Sequence, residues 1–247
     1  MIRKLILALG LTATAATAQG FDLEDMSAAE RAAFGEAVRA YLLENPGVIF
    51  EAARLYEKQQ AEAQASNDAD VVARNAEYIF NDGRSWVGGN PEGDITVVEF
   101  VDYRCGYCKK AFAEVKELIS SDGNIRFIVK EFPILGEEST LATRFAIAVR
   151  NSAGSDAYAV VHDELMAMRG SVTDASLRRI AQTAGLDFDV LIAAMEDPAV
   201  DEEITANYAL ARVLDINGTP GFIFGSEVIR GYAPLDAMRE IVAGQRG

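Results

Sequence analysis

Ile95-Thr96-Val97-Val98-Glu99-Phe100-Val101-Asp102-Tyr103-Arg104-Cys105-Gly106-Tyr107-Cys108 is the segment from which the rest of the chain can be read. Its first seven residues are β-branched or apolar apart from the acid Glu99, and such near-continuous apolarity predicts a strand buried on both faces. Beyond it, Ala111, Phe112, Val115, Leu118 and Ile119 recur at helical spacing over Tyr107 to Ile119. Ile125 to Phe132 (IRFIVKEF) then reads as a second strand. Strand, helix and strand in short succession predict a βαβ unit with a parallel pair.

The two cysteines of the chain both stand in this segment, at the exit of the strand and the start of the helix. There the free N–H groups and the positive end of the helix dipole stabilise a thiolate, which makes Cys105 the nucleophile of the pair. Cys108, one turn further in, is placed to attack a mixed disulfide formed at Cys105, as thiol exchange requires. A zinc site fits poorly, because it needs about four ligands and the single histidine, His162, lies far along the chain. A structural disulfide across two residues closes almost no loop and gains little entropically. No cofactor or metal is implied, since the dithiol itself carries the electrons.

Upstream, Ser27-Ala28-Ala29-Glu30 forms a capping box that starts a helix, with Phe34, Val38, Tyr41 and Leu42 on one face. Asn45-Pro46 stops it and starts another, striped by Ile49, Ala52, Ala53 and Tyr56. The polar run EKQQAEAQASNDAD (57–70) offers little to bury, so 21–65 reads as a helical stem that either docks on the same chain or pairs with copies of itself. A further helix is expected over Ala69 to Phe80, followed by the turn-rich NDGRSWVGGNPEGD. Downstream, Ser139 to Leu214 has a helical period with breaks at Ser152-Ala153-Gly154, Gly170, Gly185 and Asp197-Pro198, predicting four or five helices. Phe222-Ile223-Phe224 and Val228-Ile229-Arg230 flank Gly225-Ser226-Glu227 as a hairpin, and Pro234 to Ala243 closes with a helix.

At the N-terminus, Arg3 and Lys4 precede an apolar run from Leu5 to Ala18 that ends in Ala16-Thr17-Ala18. This has the form of a cleavable signal peptide (1–18) and is shorter than the ~20 apolar residues that span a bilayer. A periplasmic or otherwise exported protein, without a transmembrane segment after cleavage, is expected. The 247 residues carry 38 Asp and Glu against 23 Lys and Arg, a net charge of −15 that repels phosphate backbones and excludes nucleic acid as a natural partner.

Cys-X-X-Cys after a buried strand, a helical block within a βαβ/ββα framework, and Gly218-Thr219-Pro220-Gly221 before the third strand resemble exported DsbA-like thiol-disulfide oxidoreductases. VVEFVDYRCGYCKKAF, KEFPILGEES and LLENPGVIFEA resemble the Com1/ScsC-type branch more closely. The resemblance implies an α/β thioredoxin fold over 67–247 with a helical insertion at about 139–214, and an N-terminal stem at 19–66 that is a possible site of homo-oligomerisation. It further implies that Pro220 follows a cis peptide bond and, with Thr219, Gly106 and Tyr107, meets the substrate. By the same match Glu99 is the buried acid beneath the site, placed to relay a proton to or from Cys108; pairing with Lys130 is the alternative. His162 reads as a packed or surface helix residue, and Lys109 and Lys110 as solvated.

The implied partners are protein clients with cysteines and a redox protein that resets the pair. Gly106-Tyr107 brings no charge between the cysteines, where the strongly oxidising relatives carry histidine, so a weaker oxidant that leans to isomerase or reductase is expected. A monomeric oxidase and a client-binding chaperone with incidental cysteines are the alternatives.

Overall fold

The structure, a computed structural model, describes residues 26–247; the leader read at 1–18, and 19–25 of the stem, lie outside the described residues. The described chain divides into two compact units, one ending at Gln59 and the other running from Gln60 to Gly247.

The first unit holds α1 (Ala28–Glu44) and the beginning of α2 (Gly47–Arg74). The capping box forms: the Ser27 hydroxyl accepts the Glu30 N–H at 3.3 Å, and the Glu30 carboxylate accepts the Ser27 N–H at 2.9 Å. No residue of α1 is buried. The structure corrects one boundary, because α2 runs unbroken through the polar 57–70 segment and no new helix begins at Ala69. Ala, Gln and Glu propagate a helix well even with little to bury, and in the second unit Asp68 accepts a bidentate pair from Arg230 at 2.7 and 2.8 Å. Only α3 (Ala76–Phe80) remains of the separate helix expected there.

The second unit is built on a five-stranded sheet in the order β1-β3-β2-β4-β5, formed by β1 (Trp86–Gly89), β2 (Ile95–Val101), β3 (Ile125–Glu131), β4 (Gly221–Phe224) and β5 (Glu227–Arg230). The central strand β2 pairs parallel with β3 and antiparallel with β4. Val97, Val98, Phe100 and Val101 are wholly buried. At about 1.5–3 kcal/mol for each fully buried large apolar side chain, this strand anchors the unit. The edge strand β1 sits inside the segment read as turns. Its four residues lie antiparallel to β3, too short and glycine-rich to show a strand period.

One face of the sheet is covered by α4 (Gly106–Asp122), α5 (Glu137–Ala153), α6 (Ser155–Ala167) and α10 (Leu235–Arg246); Val72, Ile79, Leu210 and Leu214 pack on the other. With α7 (Asp174–Thr183), α8 (Phe188–Ala194) and α9 (Pro198–Val213), the insertion holds five helices that break where the sequence predicts. This is the α/β framework expected above, a βαβ half and a ββα half with helices inserted between them.

Candidate active site

Because β2 is central and ends at Val101, the turn that follows delivers Cys105 to the C-terminal edge of the sheet as the N-cap of α4. Asp102 fixes that turn. Its buried carboxylate accepts the Arg104 N–H at 2.7 Å, the Ser139 hydroxyl at 2.8 Å, and the Ile134 and Leu135 N–H groups at 2.8 and 3.0 Å.

Cys105 is 7% exposed and Cys108 fully buried, and both are free thiols. The Cys105 thiol lies 3.1 Å from the Thr219 carbonyl, across the site from α4. A hydrogen bond from the Cys108 thiol lowers the Cys105 pKa to about 5 against the opposing effect of burial, helped by Thr219 and by the N–H groups of Cys108 and Tyr107. Burial, then the hydrogen bond to Cys105 and the charge of Glu99, push Cys108 far up. The pair is thus polarised into one thiolate and one thiol. The Thr219–Pro220 bond is cis.

Glu99 sits on β2, 3% exposed, and its Oε1 has no hydrogen-bond partner. Burial, with the charge of Cys105 second, raises its pKa to about 8. Lys130 does not pair with it: that ammonium donates to Asp82 at 2.7 Å and to the Tyr78 carbonyl at 2.8 Å. Tyr107 is 62% exposed beside the pair, its ring 6.0 Å from that of Tyr232.

Lys109 is partly buried, and its ammonium donates to the carbonyls of Met168 and Leu165 at the end of α6. Lys110 lies over the Tyr232 ring at 4.1 Å, and the Tyr232 hydroxyl donates to Glu114 at 2.8 Å. Tyr232 is therefore a site neighbour that the sequence reading missed; an aromatic just beyond the hairpin, after Gly231, was the available signal.

A second missed group lies behind the turn. The buried Glu131 accepts hydroxyls from Tyr103 and Tyr158, both at 2.6 Å, and from Thr143 at 2.9 Å. Its pKa is raised to about 7 by burial, which those hydrogen bonds oppose. The Tyr103 hydroxyl also bonds His162 Nδ1 at 3.0 Å, and burial lowers the His162 pKa to about 4. His162 is thus a packed core residue. No group of three or more His, Cys, Asp or Glu among the described residues is arranged to hold a metal ion.

A thiolate at a helix N-terminus, a buried thiol one turn on and an opposing cis-proline loop form an arrangement suited to thiol-disulfide exchange. Residues 96–243, more than half of the chain, match the model of the DSBA-like thioredoxin domain. The chain belongs to the DsbA-like thioredoxin family. As a member, it has the α/β thioredoxin fold of that family. Residues 30–63 match the model of the N-terminal domain of the copper resistance protein ScsC.

Among solved structures, a thioredoxin-like oxidoreductase from Silicibacter pomeroyi is 41% identical, covering 69% of this chain and 96% of its own, with a TM-score of 0.65. The thiol-disulfide exchange protein α-DsbA2 of Wolbachia pipientis is 29% identical over 74% of this chain and 98% of its own, at 0.69. BcfH of Salmonella enterica Typhimurium is 28% identical over 89% and 97%, at 0.71. The chain spans about a quarter of the length of the curated relatives it matches. Of these, the sodium/proton antiporter NhaA 3 of Salinispora tropica is 28% identical over 159 residues, 64% of this chain and 24% of the antiporter. No helix among the described residues of the DsbA-like chain is long and apolar enough to cross a membrane.

Proposed function

We propose that this chain is an exported oxidoreductase that reshuffles or reduces disulfides in protein clients through Cys105 and Cys108. One observation carries the reading: the Cys105 thiolate, stabilised to a pKa of about 5, stands over a buried Cys108 thiol and faces the Thr219–Pro220 loop. Cys105 attacks a client disulfide, forming a mixed disulfide and releasing a client thiolate. That thiolate either attacks another client disulfide, or Cys108 loses its proton and displaces the client, leaving a Cys105–Cys108 disulfide that a redox partner reduces. The fraction of Glu99 that is ionised near pH 7, a minority because burial raises its pKa to about 8, takes that proton. Thr219 and Pro220 present backbone groups to the client strand, and Gly106 and Tyr107 flank it.

The lean towards isomerase or reductase follows from the poise of the pair. A nucleophile with pKa about 5 lies between those of thioredoxin at ~7 and strong oxidants at ~3.5, which supports a couple less oxidising than the strong oxidants. Assembly through the stem is part of the same reading, in which several sites held together engage one misfolded client at high effective concentration. Export rests on the leader at residues 1–18.

The test is a titration of the couple against glutathione buffers, paired with reshuffling of a scrambled disulfide protein. A potential near about −180 mV or lower, with reshuffling lost in Cys105→Ser, is expected. A potential near about −120 mV with poor reshuffling replaces this reading with an oxidase. Client holding that is unchanged in the Cys105→Ser, Cys108→Ser double variant, with no reversible couple, replaces it with a chaperone.

A further inference from the structure

Behind the site, within the second unit, lies a cavity of about 320 Å³ walled by the rings of Trp86, Phe112 and Phe127 and bordered by Glu99 and Ala159. The exposed Lys116–Asp163 ion pair also lines it. The other polar side chains on the wall are engaged. Trp86 Nε1 donates to the Ser155 carbonyl at 3.1 Å and Lys116 to Asp163 at 2.5 Å, while the Ser120 hydroxyl donates to the Glu117 carbonyl at 3.3 Å. His162 Nδ1 is bonded to Tyr103. Glu99 Oε1 is, among the described residues, the one buried side-chain nitrogen or oxygen without a partner.

We propose that this cavity is a binding site for a small aromatic ammonium, with its ring among Trp86, Phe112 and Phe127 and its N–H groups on Glu99. Three features set that chemistry. A buried acceptor left unbonded costs about 1–3 kcal/mol, so the favoured occupant brings a donor to it. The Phe112 face already holds the Lys116 ammonium at 5.1 Å, so the aromatic wall takes the ligand's ring and leaves its ammonium to Glu99. The volume is at the lower end of the roughly 300–1,000 Å³ typical of ligand sites, enough for one ring and a short tail. An ammonium stabilises the ionised carboxylate, so at neutral pH its uptake drives off the proton that burial keeps on Glu99. A neutral molecule of the same shape does not.

The test is calorimetry on the reduced full chain at pH 7, using 2-phenylethylammonium and its neutral isostere 2-phenylethanol, each in two buffers of different protonation enthalpy. The expected result is one-to-one binding of the ammonium, at least tenfold tighter than the alcohol, with a proton released only for the ammonium. Glu99→Gln brings the two ligands to parity. Ala159→Phe, on the half-exposed face of α6, fills the cavity and removes both. Equal affinity for the two probes, no binding of either at millimolar concentration, or ammonium binding that survives Ala159→Phe overturns the proposal and leaves Glu99 with water as its partner.

Discussion

At the scale of single residues, the chemistry rests on how differently two adjacent thiols are held. Cys105 owes its low pKa first to a hydrogen bond from Cys108, so the two titrations are linked. Thiolate absorbance near 240 nm, or the rate of alkylation, should show Cys105 ionising near pH 5. In Cys108→Ala the inflection should move up towards the ordinary thiol value of about 8.5; an inflection that stays near 5 would show that the helix terminus alone sets it. Glu99 gives a second pH signature. Folded, it keeps its proton up to about pH 8, whereas an unperturbed glutamic acid loses its own near 4.5. Between those values the native state binds more protons than the unfolded chain, so stability present below 4.5 is lost as pH rises through 8. Glu99→Gln should therefore gain on the parent by several degrees in Tm between pH 5 and 8.5, at about 2–4 °C per kcal/mol. A constant difference across that range would mean that the carboxyl does not titrate there. The cysteines at the strand-to-helix junction and the acid Glu99 within an apolar strand were legible in sequence, whereas a role for Glu99 came only from the family resemblance. The Glu131–Tyr103–Tyr158–His162 network was not, because its members come from the β2–α4 turn, β3 and α6, and local spacing says nothing of where those elements meet.

At the scale of elements, pieces with a clear period or a turn signal were readable, the short β4–β5 hairpin included, and pieces without either were not. β2, α4, β3 and the five inserted helices show clear periods or glycine and proline breaks, whereas β1 is four residues, two of them glycine. Its place depends on tertiary pairing with β3 and on Gly89, which adopts φ +67° where an added Cβ would stand 2.4 Å from the Ile125 carbonyl oxygen. The left-handed backbone alone costs a non-glycine residue about 1–2 kcal/mol, and the close approach adds to it. Gly89→Ala should lower the urea midpoint accordingly while leaving the Cys105 titration in place. An unchanged midpoint would show that the edge strand shifts freely on β3. The α2 boundary was misread for a related reason. A polar helix-forming run carries no stop signal, and the ion pair that holds Asp68 comes from Arg230, 162 residues away.

At the scale of the whole molecule, the stem joins a single exchange site to the proposed reshuffling activity. In the first unit Tyr41, Leu43, Ile49, Phe50, Leu55 and Tyr56 are each more than half exposed. So much apolar surface on two helices with no buried residue before Asp68 is unusual for a monomer and fits self-association through the stem. Single-site exchange needs only Cys105 and Cys108, whereas reshuffling gains from neighbouring sites on one client. The two activities should therefore separate. Phe50→Glu with Tyr56→Glu places charges on the stem's apolar surface and changes no residue of the second unit. Light scattering should show the parent as an oligomer and the variant as a single chain, with oxidation of a short reduced peptide retained and reshuffling of a scrambled protein reduced several-fold. A parent that is already monomeric, or a monomeric variant that reshuffles at the parent rate, would remove the stem from the mechanism and leave the poise of the Cys105–Cys108 couple to decide the direction of exchange.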